Sequence, residues 1–532
     1  MTKRGVTEEF LRPKYTLDHA KKLPDIEVAV TRIKAAIDGG ETILVYGDYD
    51  VDGVTASTIM CEALKLAGVK RVEVMLPDRF IDGYGMSERC LEKAVELRVD
   101  LVVTVDCGSN NAEVIKKLAE HKIDTIVTDH HELMNGVPER ALAVVNPKRY
   151  GEEEVDLERK ELREICGAGV AFMVMQALVL EGLIPQNQEK WFLDLVLIGT
   201  ICDSMVMNQI NRELAYYGLI ILQKTKRVGL LELMRVAGVQ KIDSEAIGFQ
   251  IGPRLNAGGR MESAEISLKL LMSKERAEAA MLAEELNRLN GERQIAQRAA
   301  LEEILVDEKP VIVAAGNWHE GVLGIIAGRL VEKYRRPAFV LGETEGIYKG
   351  SGRSFGDFNL AEAIKAVNKT LIGGGGHAAA CGVKLKKEDL VRFKEAVNRY
   401  YRSLNLTEQE KYLEVAEDIQ VDNLAELDVD LYEEMSVLQP FGQGNTEPIF
   451  ELVNTKIKFI ETLGAEKKHL KFTLEKDGNL FKALVFNARE EWFNLDKDAT
   501  YNVHINLVLN EWRGRKTVES RLLQIKKSDS SD

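Results

Sequence analysis

Between residues 41 and 147 the chain repeats one phrase. The runs "TILVYG", "RVEVML", "DLVVTVD", "DTIVTD" and "LAVVNP" are short, apolar and rich in β-branched residues, and helical stretches separate them. This spacing is that of consecutive βα units. It predicts a mostly parallel sheet covered on both faces. In such a sheet ligands gather in the crevice outside the carboxyl ends of the strands, so the residues following each run carry the functional information.

Those residues are acidic. "VYGDYDVDGVTAS" places Asp48, Asp50 and Asp52 at alternate positions after a predicted strand, Thr42 to Tyr46, with a turn opened by Gly47 and a predicted helix from Val54 to Leu66. "VTVDCGSNN" ends its strand in Asp106, "VTDHHE" in Asp129, His130 and His131, and "GTICDSM" brings Asp203. Singly, each has an ordinary reading: an Asp-Gly turn, a helix cap at Asp203, a packed or hydrogen-bonded histidine. Jointly, carboxylates crowded at one edge need a cation or must stay protonated. The donors are Asp and His with no thiolate, which selects Mn²⁺ or Mg²⁺. Two ions sharing one bridging aspartate would neutralise so many carboxylates, and such pairs, ~3.5–4 Å apart, serve phosphoryl displacement.

A chain of 532 residues holds three or four domains at ~150 residues each. Its composition, 45% hydrophobic and 29% charged, is that of a soluble globular protein. No apolar run approaches the ~20 residues of a membrane helix, and "MTKRGVTEEF" lacks the apolar core of a secretory signal. The cysteines, Cys61, Cys90, Cys107, Cys166, Cys202 and Cys381, form no Cys-x-x-Cys pair, which argues against a zinc module or disulfide framework and for a cytoplasmic protein. A net charge of −14 excludes a bulk polycation, but nucleic-acid recognition depends on a local patch.

The expected organisation is a lead-in (1–40), a parallel-sheet α/β domain (41–215), a helical region with a long connector helix from Ser273 to about Asp307 (216–308), a second α/β domain (309–404), an acidic, mostly helical linker (405–440) and a β-rich tail (441–532) read as a small barrel. Charged "GEEEVDLERKELRE" reads as a surface excursion and "CGAGVAFMVMQALVL" as a buried helix whose small residues permit close packing.

At "TDHH" the chain resembles the DHH phosphoesterase superfamily. "GDYDVDG", "PDRFIDGYG", "VDCGSNN", "TDHHE", "GTICDSM", "GPRLNAGGRM", "HEGVLGIIAGRL", "GSGRS" and "GGHAAACG" follow one another in family order. Within the superfamily it is similar to the single-strand-specific exonucleases. That resemblance implies a DHH domain, a DHHA1 domain and a C-terminal OB-fold. It places metal ligation on Asp50, Asp52, Asp106, His130 and Asp203, with Asp106 bridging two Mn²⁺ or Mg²⁺ ions. Asp48 is included because relatives carry a histidine where this chain has Tyr46. His131 is expected to face the scissile phosphate and Asp129 to orient a histidine. Arg79, Arg260, Ser351, Arg353, Gly375, Gly376 and His377 are the expected phosphate or nucleic-acid contacts, with "GGGGH" opening a helix of small residues.

In the family that group holds a 5′ end, so the resemblance implies 5′→3′ exonucleolysis of single-stranded DNA to 5′-mononucleotides, in repair and recombination. In the barrel, Phe472, Trp512 and Arg513, with Lys467, Lys468 and Lys471 along one edge, are the candidate strand contacts; core packing is the better expectation for each aromatic. A monomer is expected, with single-stranded DNA as partner, a single-strand-binding protein and a helicase as further candidates, and no membrane. The rivals are a DHH phosphodiesterase for cyclic dinucleotides or short oligonucleotides, a non-catalytic replication factor that binds single strands, and a family II pyrophosphatase. Family members usually carry more residues before "RGVTEEFL", so a trimmed start is expected.

Overall fold

The computed structural model describes residues 4–151, 156–406, 415–464, 467–512 and 514–528. The chain divides into two compact units, Tyr15–Tyr412 and Met1–Lys14 with Leu413–Asp532. Among the described residues no helix is long and apolar enough to cross a membrane.

The repeated phrase becomes a parallel sheet of β1 (Thr42–Tyr46), β2 (Arg71–Met75), β3 (Leu101–Val105), β4 (Asp124–Thr128) and β5 (Ala143–Val145). Their order is β2-β1-β3-β4-β5, every pairing parallel. Alternate residues face two cores. Ile43, Val45, Val103 and Ile126 join one; Leu44, Tyr46, Val102 and Val127 join the other. The chain leaves β1 toward β2 on one side and returns to β3 on the other, so the crevice beyond β1 and β3 is a topological switch point. The helix after β1 starts at Val51, earlier than the expected Val54, because Asp50 caps it by accepting from the Gly53 N–H.

Gly167–Leu180 forms the buried helix expected of its small residues. The next apolar segment is the helix Leu193–Cys202. In the charged stretch 151–164, residues 152–155 lie outside the described ones and Leu157–Leu162 is a short helix. The connector is the helix Arg276–Glu303.

The second sheet orders β6 (Ile312–Gly316), β7 (Ala338–Thr344), β8 (Ile347–Arg353), β10 (Ala380–Lys386) and β9 (Gly373–Gly376). Here the sequence expectation fails locally: the glycine run opens no helix. It is strand β9, antiparallel to β10, and β10 alternates buried Cys381, Val383 and Leu385 with exposed neighbours. Period 2 across "ACGVKLK" outweighs the helix propensity of its alanines.

In the other unit, β12 (Phe450–Leu463), β13 (His469–Lys476), β14 (Asn479–Val485), β16 (Arg515–Lys527) and β15 (Thr500–Trp512) close on themselves through a β12–β15 pairing, making a five-stranded barrel. The segment 405–440 departs from the mostly helical expectation. Residues 407–414 lie outside the described ones, Ile419–Val421 is β11, parallel to the start of β12, and Val429–Met435 is its longest helix among the described residues. Pairing with a strand thirty residues away is a tertiary effect that local propensity does not carry.

Candidate active site

Asp50 and Asp52 are fixed by the helix that begins between them. Asp50 caps Val51–Leu66, and Asp52, in its first turn, accepts from the backbone of a second helix start: Gly167 N–H at 2.6 Å and Ala168 N–H at 2.9 Å. The positive end of a buried helix thus faces a buried carboxylate. Asp106 follows β3 in a left-handed conformation, φ 59°. Asp203 arrives from a helix end, as the C-cap of Leu193–Cys202, rather than from a strand.

These segments converge. His130 Nε2 lies 3.1 Å from Asp106 Oδ1 and 3.7 Å from both Asp52 Oδ2 and Asp203 Oδ2. Donor atoms of Asp52, His130 and Asp203 lie within 4.8 Å of one another, and the same holds for Asp48, Asp50 and Asp106 and for Asp106, His130 and His131. The approach to Asp106 is tight. A Cβ on Gly167 would sit 2.6 Å from Asp106 Oδ1, and one on Gly199 2.6 Å from Asp52 Oδ1.

Burial, with the neighbouring Asp50 next in weight, raises the carboxyl of Asp48 well above the usual range and that of Asp52 to about 6. Burial and then Asp52 raise Asp106 and Asp203 likewise. Burial, and then the positive neighbour His131, push His130 down to about 3, so its imidazole is neutral. The buried oxygens Asp48 Oδ1 and Asp106 Oδ1 have no hydrogen-bond partner among the described residues. Lone pairs therefore face lone pairs. Unpartnered carboxylate oxygens with one imidazole and no thiolate suit a pair of hard divalent cations, so these clusters could hold metal ions.

Asp129 stands beside this group as an orienting residue. It accepts from the backbone N–H groups of His130 (2.8 Å), His131 (3.2 Å) and Ser109 (3.0 Å), and its Oδ1 lies 2.8 Å from His131 Nδ1. Burial works against its charge, but the His131 hydrogen bond prevails and holds its carboxyl low. In return, although burial would lower His131, Asp129 lifts it to about 9.

Among the expected phosphate residues, Arg79, Arg260, Arg353 and His377 come close enough to repel one another, and so form one cationic group. Burial and the Arg79 charge push Arg260 down to about 10, with Asp50 opposing and Arg293 and Arg353 adding to the repulsion. Burial, with Arg79 again unfavourable, lowers Arg353; burial, Arg353 and His131 lower His377. Arg79 stacks 5.0 Å over the Tyr49 ring. Ser351 and Arg353 lie side by side over Gly324, whose missing Cβ would be 3.4 Å from Ser351 Oγ and 3.0 Å from Arg353 Nη2. Gly375 and Gly376 are exposed on β9, and the His377 N–H donates to the Ala380 carbonyl.

The sequence reading missed Gly167 and Ala168 as donors to Asp52, Asn146, whose amide bonds Ser109 Oγ and the His131 carbonyl, and Tyr84, 5.2 Å edge-on to the His131 ring. The signal for the first pair was the glycine-rich helix start, which was read as packing alone. In the barrel, Phe472 is fully buried and belongs to the core, in phase with Leu470 and Leu474. Arg513 and the Trp512 side chain lie outside the described residues. Lys467 and Lys468 are exposed and Lys471 half-buried. Among the described residues, the exposed aromatics on the barrel are Phe459 and Phe486, the latter 5.4 Å from His469.

The DHH family, N-terminal domain, matches residues 42–200, the DHHA1 domain 308–403 and the RecJ OB domain 418–524. The single-stranded-DNA-specific exonuclease RecJ of Bacillus subtilis is 35% identical over 93% of this chain, which spans 62% of that protein's length. RecJ of Haemophilus influenzae is 32% identical, covering 96% of this chain and 92% of its own. The crystal structure of RecJ from Thermus thermophilus in complex with Mn²⁺ superposes with a TM-score of 0.83 at 29% identity, covering 99% of this chain and 75% of that one. Its Mg²⁺ complex gives 0.77 at 28% identity, with 99% and 74% covered.

Proposed function

This chain belongs to the RecJ family of single-stranded-DNA-specific exonucleases, and from that premise we propose that it degrades single-stranded DNA from the 5′ end, releasing 5′-mononucleotides. Asp48, Asp50, Asp52, Asp106, His130 and Asp203 would hold two divalent ions, Mn²⁺ or Mg²⁺, with Asp106 shared. When bound, the ions supply charge neutralisation on the phosphodiester and a nucleophile competent at neutral pH.

The chain's own groups do the rest. Arg79, Arg260, Ser351, Arg353 and the end of β9 at Gly375, Gly376 and His377 bind the terminal phosphate and set which bond reaches the acidic edge. Asp129 holds His131 through Nδ1, which leaves Nε2 to hold a proton for the phosphate or the departing oxygen. Phe459 and Phe486, exposed on the barrel, stack the bases. Repair and recombination are the processes such an activity serves, in a cytoplasmic monomer working beside a helicase and a single-strand-binding protein.

One observation carries the reading: an acidic cluster with unpartnered Asp48 and Asp106 oxygens lies within electrostatic reach of half-buried arginines, Asp50 of Arg260 and Asp48 of Arg79. A phosphodiester with bound cations satisfies both. The test is a digestion time course with Mn²⁺ on long single strands blocked at either end, beside a dinucleotide. Mononucleotide release from the 3′-blocked strand alone is expected; release from the 5′-blocked strand, or exclusive turnover of the dinucleotide, would refute the proposal.

A further inference from the structure

The barrel unit carries another donor group, which the nuclease reading leaves unused. His504 on β15 lies directly across the antiparallel ladder from Glu451 on β12. Its Nε2 is 3.8 Å from Glu451 Oε1, too far for a hydrogen bond. Glu417, just ahead of β11, completes the group: one donor atom from each of Glu417, Glu451 and His504 lies within 4.8 Å of the others.

His504 is the observation that points to a ligand. The residue is 4% exposed, and its buried Nδ1 has no hydrogen-bond partner among the described residues. Buried polar groups are almost always hydrogen-bonded; this ring leaves one nitrogen unpartnered and turns the other, Nε2, toward Glu451 beyond hydrogen-bond distance. The backbone beside Glu417 is well anchored. Arg4 grips both Asp418 carboxylate oxygens at 2.6 Å, the Ile449 N–H donates to Asp418 Oδ2 at 2.9 Å, and the Asp418 N–H donates to the Ile449 carbonyl.

We propose that Glu417, Glu451 and His504 bind one divalent transition cation, with Zn²⁺ preferred over Mg²⁺, and that the ion ties the segment entering β11 to β12 and β15. An imidazole with two carboxylates is a donor set for Zn²⁺, whereas Mg²⁺ favours oxygen ligands and keeps its waters. Ligand distances of ~2.0–2.2 Å require the donors to close somewhat around the ion, and both glutamates are partly exposed. The role is structural, and the proposal stands apart from the nuclease reading.

The test compares the full chain with the His504→Gln and Glu451→Gln variants. Each is dialysed against Zn²⁺, and against Mg²⁺ in a parallel arm. Bound metal per chain is measured by mass spectrometry, and melting is followed with and without Zn²⁺. The expected result is one fewer Zn²⁺ per chain in both variants, with loss of a Zn²⁺-dependent rise in Tm. Should His504→Gln melt without cooperativity in EDTA, Glu451→Gln decides alone. Equal Zn²⁺ stoichiometry in the wild type and a folded variant would overturn the site. A Mg²⁺ equivalent lost in the same variants would overturn the assigned metal class.

Discussion

The edge of the parallel sheet and the arginine group within its electrostatic reach hold opposite charges, Asp48, Asp52 and Asp106 buried and the arginines half-buried, and each is electrostatically unfavourable as it stands. At the acidic edge, burial and mutual repulsion raise Asp48, Asp52, Asp106 and Asp203. At the basic one, burial and mutual repulsion lower Arg260 and Arg353. The means of support differ. The aspartates are held by backbone, through a helix cap, a helix N-terminus and a left-handed turn, so that little can move. The arginines are long side chains whose placement depends on small neighbours such as Gly324. A rigid acidic site suits ions that demand fixed donors; an adjustable basic site suits a strand end that enters and leaves.

The sharpest way to break that contrast is Asp106→Asn. Asparagine tolerates the left-handed backbone and removes one buried charge. We expect the variant to melt at a higher temperature than wild type in EDTA, while Mn²⁺-dependent nuclease activity falls more than about a thousand-fold, several kcal/mol of transition-state stabilisation. A lower Tm in EDTA would show that the carboxylates do not repel one another as described.

Gly167→Ala tests rigidity without touching a charge. The new methyl group meets Asp106, and a displacement near 1 Å costs about a hundred-fold in rate. Circular dichroism and melting establish folding; wild-type activity in a folded variant would mean that the acidic edge yields as readily as the basic one. On the other side, Arg353→Ala removes a charge-assisted contact of ~1.5–3 kcal/mol, about 10- to 150-fold in kcat/KM on a 5′-phosphorylated strand. The same substitution should matter much less on a 5′-hydroxyl strand, and an equal loss on both would detach Arg353 from the terminal phosphate.

The rigid half was the more legible in sequence. β1 spans Thr42–Tyr46 as its β-branched run predicts, and the acids after β1, β3 and β4 share an edge because parallel topology obliges them to. What escaped was of two kinds. Non-local partners leave no local mark: Gly167 and Ala168 donate to a residue more than a hundred positions away, and β11 owes its extended form to β12. Ambiguous periods were the other: "GGGGHAAACG" fits a helix start until period 2 is followed into β10. Phe472 carried its own answer, since an aromatic in phase with Leu470 and Leu474 shares their buried face.

A half-buried ionisable group that already has its partners provides the counterpart to both clusters, and the smallest effect. His19 lies 2.8 Å from Glu158 and 3.2 Å from Glu213. Burial alone would lower its pKa, but the hydrogen bonds to Glu213 and Glu158 prevail and raise it above the ordinary 6.5. Because the folded state binds the proton more tightly than the unfolded one, the stabilisation is full below about pH 6.5 and is lost as pH rises through the elevated folded pKa. The Tm difference between wild type and His19→Gln, measured from pH 5.5 to 9, should therefore shrink with rising pH, by on the order of a degree or two. A difference that widened instead would mean that burial outweighs the two glutamates. His19 would then be a strained group awaiting neutralisation, as the aspartates and arginines are.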